Sequence, residues 1–380
     1  MNWIKICLIN ILVFLLLWIS IEIIYITIKK NFGSYCEENW NVYGYCKNIK
    51  YSKKNSINDG GEIIVNYSDF RGARVNTYQK KETTNQYDLI FIGDSFIQAD
   101  EVDYNKTLYG LFSKAGFSTY ALGYSSWNPI QYKDAIHKIN STNTTYNIFV
   151  FTNDFLPNYT RSVYGENRYL LNNTKINQLV ENTLLSRIFF KVINLQKNVN
   201  SKLQFETIDF SNFSKKDLMN CADIDKFDNT EYKNKIGYDY LVYSKSETCW
   251  PELYLTAARE TASILSSISS LVKELDSKLN LIIIPAGWAI ENENTLGRLG
   301  NEYLFPLNIS ITSNPLVKFI KKELPNTNVI DVEKIFKERK EVITNCYNGC
   351  KDEYYFPQDG HWNQNAHRLI YEYLLENYIQ

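Results

Sequence analysis

Net charge and histidine are both scarce in this sequence. Its 41 Lys and Arg nearly cancel 42 Asp and Glu, leaving a formal net charge of −1. The chain as a whole therefore sets up no field that would draw in nucleic acid or an anionic membrane surface, and no nucleic-acid partner is expected. Only three histidines are present, His137, His361 and His367, so the places where an imidazole base could stand are few. A zinc finger is disfavoured on the same ground, because the close pair Cys346 and Cys350 has no second Cys or His pair at finger spacing. No metal and no cofactor is expected, and there are no internal repeats. What remains is a chain of 380 residues, long enough to bury a sizeable core as one large domain or two modest ones. Aromatic side chains are plentiful, with 29 Tyr, which suits stacking on ring-shaped ligands and buried packing equally well.

The N-terminus is distinctive. Ile6 to Ile28 is apolar apart from Asn10, Ser20, Glu22 and Thr27, and about 20 such residues span a bilayer core. One transmembrane helix is expected within residues 1–30. It reads as an uncleaved signal anchor, since no small-residue A-x-A cleavage pattern follows. Flanking charge is nearly even, with Lys5 before the run and Lys29 and Lys30 after it. That balance slightly favours a cytoplasmic C-terminal side.

The cysteines point the other way. Cys7 lies in the anchor, and the six beyond it fall into the sequential pairs Cys36 with Cys46, Cys221 with Cys249, and Cys346 with Cys350. Such a set suits disulfides in an oxidising compartment, although six buried thiols would leave the same letters. The expectation is a single-pass protein with its folded part outside the cytoplasm, in a bacterial periplasm or at the cell surface.

Residues 31–86 mix Gly, Asn and Lys and read as a stalk and lead-in. From Tyr87 the pattern changes to apolar runs separated by helical stretches: "DLIFIG", "TYALG", "YNIFVFTND", "NLIIIPAG" and "TNVIDV". Five short β-rich runs with helices between them predict an α/β domain over residues 87–380, with a parallel sheet covered on both faces. Residues 155–250 interrupt the pattern with a long stretch of Asn and Lys lacking a clear period, expected as an insertion or cap. Glu252 to Leu279 returns as a predicted helix, with Leu253, Ala257, Leu265, Ile268, Leu271 and Leu275 at helical spacing.

Ligands of open α/β sheets bind at the carboxyl ends of the strands, and the chemically suggestive residues cluster there. Ser95 follows "LIFIGD", where Gly93 allows the backbone to bend sharply and expose a hydroxyl. An ordinary turn with Asp94 capping a helix would read the same way. Gly123 ends the second run, where a backbone N–H could approach a ligand closely or the chain could simply turn. Asn153 ends the third, placing there either a helix cap or a neutral amide donor. One such donor facing an oxyanion is worth about 3 kcal/mol of barrier.

A serine nucleophile needs a base. His137 sits inside a helical run and His367 opens the amphipathic last helix, so both fit surface or core roles. His361 lies in a Gly-flanked loop two residues after Asp359. Residues two apart can face the same way there, the carboxylate accepting from one ring nitrogen while the other faces Ser95.

On these residues the chain resembles the SGNH (GDSL-like) hydrolase superfamily, whose four blocks carry a Ser in "GDS", a Gly, an Asn in "ND" and a late Asp and His. The resemblance spans Tyr87 to the C-terminus and implies a three-layer, flavodoxin-like parallel-sheet domain. It assigns Ser95 as nucleophile, His361 as base and Asp359 as the acid that orients it. Gly123 and Asn153 become oxyanion donors together with the Ser95 amide. Two departures stand out. The usual late block places Asp three residues before His, whereas "DGH" places Asp359 two before His361, as in the D-x-H-W element of the alginate O-acetyltransferase group, where the pair precedes the serine. The second block reads "GYSSW", without the further glycine often seen.

The implied activity is serine-based acyl transfer without a cofactor, as an esterase or O-acyltransferase acting on O-acyl, above all O-acetyl, groups of a cell-surface polysaccharide. The alternative from another class is a non-catalytic glycan-binding or assembly protein on the same fold. Expected partners are a carbohydrate or acyl-ester substrate and, through the N-terminal helix, a membrane; oligomeric state is not readable.

Overall fold

The computed structural model describes residues 48–55, 60–77, 86–125, 127–155, 246–250, 252–285, 314–339, 354–356 and 359–379, with isolated positions besides. Most of the N-terminal apolar run, most of the 155–250 insertion and at least one member of each expected cysteine pair lie outside the described residues. No helix among the described residues is long and apolar enough to cross a membrane. The chain divides into two compact units, Met1–Tyr35 with Ser162–Ile208, and Cys36–Arg161 with Asp209–Gln380. Of the first, Val13, Phe14, Leu17, Trp18 and Ser20 are described as helical and Tyr35 as part of a two-residue strand, Tyr35–Cys36.

Within the expected lead-in, the chain folds into a three-stranded antiparallel sheet that the sequence reading did not anticipate. It comprises β1 (Lys50–Lys54), β2 (Ile63–Ser68) and β3 (Arg74–Val75), in the order β1-β2-β3. Its outward side carries exposed Ile63 and Val65, while Ile64, Asn66 and Ser68 face inward and are buried. The inner face is therefore largely polar. It shows no apolar run that would announce a strand.

The main sheet has five parallel strands: β4 (Leu89–Gly93), β5 (Thr119–Gly123), β6 (Thr145–Phe151), β7 (Lys278–Ile284) and β8 (Asn328–Asp331), in the order β8-β7-β6-β4-β5. Counted from β4 as the first strand, that is the 2-1-3-4-5 doubly wound order, with its switch point between β4 and β6. Ile90, Phe91 and Ile92 are fully buried, as strands covered on both faces must be, and each such side chain contributes about 1.5–3 kcal/mol.

Successive strand residues face opposite sides. Leu89 and Phe91 join the core formed with α2 (Leu108–Lys114), α6 (Val332–Arg339) and α7 (Gln364–Asn377). On the other side α3 (Pro129–Ile139) packs against α4 (Glu252–Glu274). A short α1 (Ser95–Gln98) follows β4 directly, and α5 (Pro315–Glu323) precedes β8. The layers are helix, sheet, helix, so the α/β architecture with a parallel sheet is present.

Helix boundaries follow local chemistry. Asn128 begins α3 with a reciprocal capping box to Gln131 and a proline in the first turn. Asn363 begins α7 by accepting from the N–H groups of Asn365 and Ala366. The helix expected over Glu252–Leu279 ends earlier, at Glu274. Asp276 adopts φ 50° and turns the chain, and Lys278 already belongs to β7. Leu275 and Leu279 continue the helical period in the letters alone.

Candidate active site

The switch point between β4 and β6 is where a doubly wound sheet opens a crevice, and β4 delivers Asp94 and Ser95 to it. The Asp94 carboxylate caps α1 by accepting from the Phe96 N–H at 3.0 Å, which fixes the turn carrying Ser95. The turn is tight on both sides. A Cβ on Gly93 would sit 2.7 Å from Ile97 Cγ1, and one on Gly123 would sit 2.6 Å from the Gln98 nitrogen and 2.7 Å from the Asp94 carbonyl oxygen. Gly123, which lies beside Gly93 in the strand register, thus lets β5 run directly against the backbone of the serine turn.

The other half of the site comes from the far end of the chain. Tyr355 and Trp362 form an antiparallel bridge, closed by Phe356 N–H donating to the His361 carbonyl at 2.8 Å and Asn363 N–H donating to the Tyr354 carbonyl at 2.9 Å. Gly360 takes φ 79° within this loop, a conformation that favours glycine. Trp362 is buried and meets Phe96 and Phe149 edge-on at 5.5 and 6.0 Å between ring centres. The loop is thereby locked onto both α1 and β6. Tyr355 adds a hydrogen bond from its hydroxyl to the Pro285 carbonyl, 2.9 Å.

These two halves bring Ser95, His361 and Asp359 into one row. His361 Nε2 lies 2.8 Å from Ser95 Oγ, and His361 Nδ1 is hydrogen-bonded to Asp359 Oδ1. The His361 side chain is 24% exposed and that of Asp359 10%, so a ligand can reach the imidazole while the acid behind it is largely shielded. The two-residue spacing of Asp359 and His361 is compatible with the contact because the loop turns at Gly360. Partial burial alone would lower the His361 pKa. The Asp359 hydrogen bond, with the charges of Glu101, Asp359 and Asp94, more than offsets this and holds it above the ordinary value of 6.5.

Asn153 lies in the turn Thr152–Phe155 that follows β6, at the same edge of the sheet. Its side-chain oxygen is buried without a hydrogen-bond partner among the described residues. Beside it, Asp154 accepts from the Tyr132 hydroxyl at 3.0 Å and the Phe151 N–H at 3.2 Å. Burial and the nearby Asp94 charge hold the Asp154 carboxyl well above the usual carboxylate range. Burial likewise pushes Asp94 up to about 6.

The other two histidines stay away from this row. His137 is exposed on α3. His367 is fully buried in α7 against Trp362, its pKa pushed down to about 3 by burial and the charge of Arg74.

Several residues that shape the site were not picked out from the sequence. Gln98 joins two turns: its side-chain oxygen accepts from Ser125 N–H at 2.6 Å, and its amide donates to Asp100 at 2.8 Å. Arg74 of β3, buried, donates to the carbonyls of Gln98, Ala99 and Val102 and to the Tyr109 hydroxyl. Tyr51 of β1 donates to Asp100 at 2.7 Å, and Lys53 of β1 pairs with Glu101 at 3.0 Å. No motif marks them, since each is an isolated polar residue whose partner is set by tertiary structure. Glu101, Asp359 and His361 bring carboxylate and imidazole atoms within 4.8 Å of one another. Glu101 is held by Lys53 and Asp359 by His361, so this grouping is an ion-pair cluster rather than a metal cage.

No protein-family model and no curated protein matches the chain. Among solved structures it is similar to a Bacteroides fragilis protein provisionally described as an acylhydrolase, at 11% identity over 79% of this chain and 90% of that one, with a TM-score of 0.34. It is also similar to a GDSL-like lipase from Bacteroides thetaiotaomicron, at 9% identity over 79% of this chain and 92% of that one, with a TM-score of 0.31.

Proposed function

We propose that the protein is a serine acyl-transfer enzyme that acts on O-acyl esters. The observation that carries this reading is the 2.8 Å contact between Ser95 Oγ and His361 Nε2, made across 266 residues of sequence and backed by Asp359 on the opposite ring nitrogen. A hydroxyl, an imidazole and a carboxylate in that row can do what each alone cannot.

His361 Nε2 takes the hydroxyl proton as Ser95 Oγ bonds to the ester carbonyl carbon. The resulting oxyanion is stabilised by the N–H groups of Ser95 and Gly123 and by the Asn153 side-chain amide. Collapse breaks the bond to the leaving alkoxide, which takes the proton from imidazolium and leaves an acyl-Ser95. Water or a sugar hydroxyl, deprotonated by the same imidazole, then takes the acyl group and restores the serine. The acceptor decides between esterase and O-acyltransferase.

The substrate we propose is an O-acetylated cell-surface polysaccharide. The reading is supported by the N-terminal apolar run, which would hold residues 87–380 at the outer face of the membrane, and by the paired cysteines, which suit disulfides there. In this scheme residues 31–86 lead into the domain and 155–250 form its insertion.

The test is release of acetate from a chromogenic ester and from native surface glycan by the full-length chain in mild detergent. Ser95→Ala should lower turnover by about 10³-fold or more, and mass spectrometry should find an acyl group on Ser95 in the parent. A parent that binds polysaccharide but turns over neither ester, with binding unchanged in Ser95→Ala, would replace this reading with a non-catalytic glycan-binding role.

A further inference from the structure

We propose that Glu101, held by Lys53 of β1, is a second acid for His361: a positioning residue that shares with Asp359 the stabilisation of the imidazolium formed when Ser95 loses its proton. This inference rests on the acyl-transfer reading and assigns a task to the small N-terminal sheet that the reading leaves unused.

Glu101 lies in the turn after α1 and is only 8% exposed. An oxygen of its carboxylate, one of Asp359 and a ring nitrogen of His361 are mutually within 4.8 Å. A carboxylate so placed and so shielded attracts an imidazolium appreciably, because little water screens the pair. Two carboxylates this close also repel each other, and Lys53 Nζ, 3.0 Å from Glu101 Oε1, offsets that repulsion. The cluster of Glu101, Asp359 and Lys53 carries one net negative charge, which becomes neutral when His361 is protonated. Preorganised charge of this kind acts where charge develops during reaction.

The placement of Glu101 is not left to the side-chain pair alone. Asn55 donates to the Glu101 carbonyl at 2.9 Å, Asn66 donates to the Asp100 carbonyl at 3.2 Å, and the Tyr51 hydroxyl donates to the Asp100 carboxylate. The small sheet and the loop after β1 thus grip this turn at two backbone carbonyls and at the Asp100 carboxylate. The charged groups around His361 are Asp359 from its own loop, Asp94 at the start of α1, Glu101 from the turn after α1, and Lys53 behind Glu101. Asp100 is turned towards Gln98 and Tyr51.

The experiment follows the His361 ring by NMR in the full-length protein carrying labelled histidine, its signal identified among the three by loss in His361→Gln. Glu101→Gln should lower the His361 midpoint by about one pH unit. Lys53→Met, which leaves Glu101 uncompensated, should raise it, and the double variant should fall between the two. On a chromogenic ester the acid limb of kcat/KM should move with these midpoints. In Glu101→Gln kcat should fall about tenfold, the equivalent of that unit, with KM little changed, and Glu101→Asp should recover part of the loss.

Single variants that shift the midpoint in the same direction, or leave it where it was, would overturn the proposal, because loosened packing has no reason to give opposite signs. Ser95-dependent ester turnover with an unmoved His361 midpoint would sink this inference and keep the acyl-transfer reading. Opposite shifts with no ester turnover in the parent would uphold the pairing and sink the acyl-transfer reading.

Discussion

The five-stranded and three-stranded sheets of the second unit are built by different rules. In the parallel sheet, β4 buries every residue and is held by apolar packing on both faces, so the residues at its carboxyl edge are fixed by a wall that barely yields. In the three-stranded sheet the inner face is largely polar, and Tyr51, Lys53, Asn66 and Arg74, with Asn55 just after β1, each reach one turn of the larger sheet through a hydrogen bond or an ion pair. The first sheet places the serine at its switch point; the second holds the turn that follows it. A rigid apolar scaffold can set where a group stands, but tuning the charge around it calls for polar neighbours, and these come from a separate element.

That contrast can be tested to breaking point. Removing the imidazole should have the largest effect: His361→Ala should lower kcat on a chromogenic ester by about 10⁴-fold with the melting temperature little changed, and a loss below tenfold would deny the parallel-sheet edge its chemistry. Asn153→Ala at the same edge should cost about 10²–10³-fold in kcat, and an unchanged kcat would remove Asn153 from the oxyanion site.

On the small-sheet side, Arg74→Met should act on stability first. It strips a donor from three buried carbonyls, and about 3 kcal/mol of unfolding free energy should be lost in denaturant titrations, at about 1 kcal/mol or more for each unsatisfied group. A large drop in kcat at unchanged stability would contradict the division between the two sheets. Asp94→Asn, which keeps the cap on α1, should act on stability in the opposite direction. The folded Asp94 carboxyl titrates at about 6 against an ordinary 3.8, so the native state holds the extra proton between those values and stability falls as pH rises through that window. The variant should escape this loss and be more stable than the parent by about 3 kcal/mol at pH 7, with little difference at pH 4. Equal stability at both pH values would mean the Asp94 charge costs the fold nothing.

Activity carries its own sign. The neutral imidazole is the proposed base, and His361 holds its proton above the ordinary value. The rate should therefore climb with pH through a midpoint above 6.5.

How much could be read in advance follows from the same contrast. "DLIFIG" and "NLIIIPAG" are legible because strands covered on both faces must be apolar throughout, and the polar residues that end such runs stand out against them. Ser95, Gly123 and Asn153 stand out as candidates for that reason, and His361 because so few histidines compete with it. Glu101 and Lys53 were not, since nothing in "QADEVD" or "KYSKKN" distinguishes a residue that meets His361 from one that meets water. The lead-in sheet was missed for a related reason: an inner face of Ile64, Asn66 and Ser68 has no sustained hydrophobic period. The end of α4 was misplaced because Leu275 and Leu279 keep the helical spacing, while the turn depends on one positive φ at Asp276.

The distance along the chain between Ser95 and its imidazole has a consequence during synthesis. At about 5–20 residues per second, the 266 residues separating them keep the ribosome busy for tens of seconds after the hydroxyl has been made. A nascent chain carries Ser95 through that whole interval before His361 exists, so the row of Ser95, His361 and Asp359 can form only once the loop before the last helix has been made.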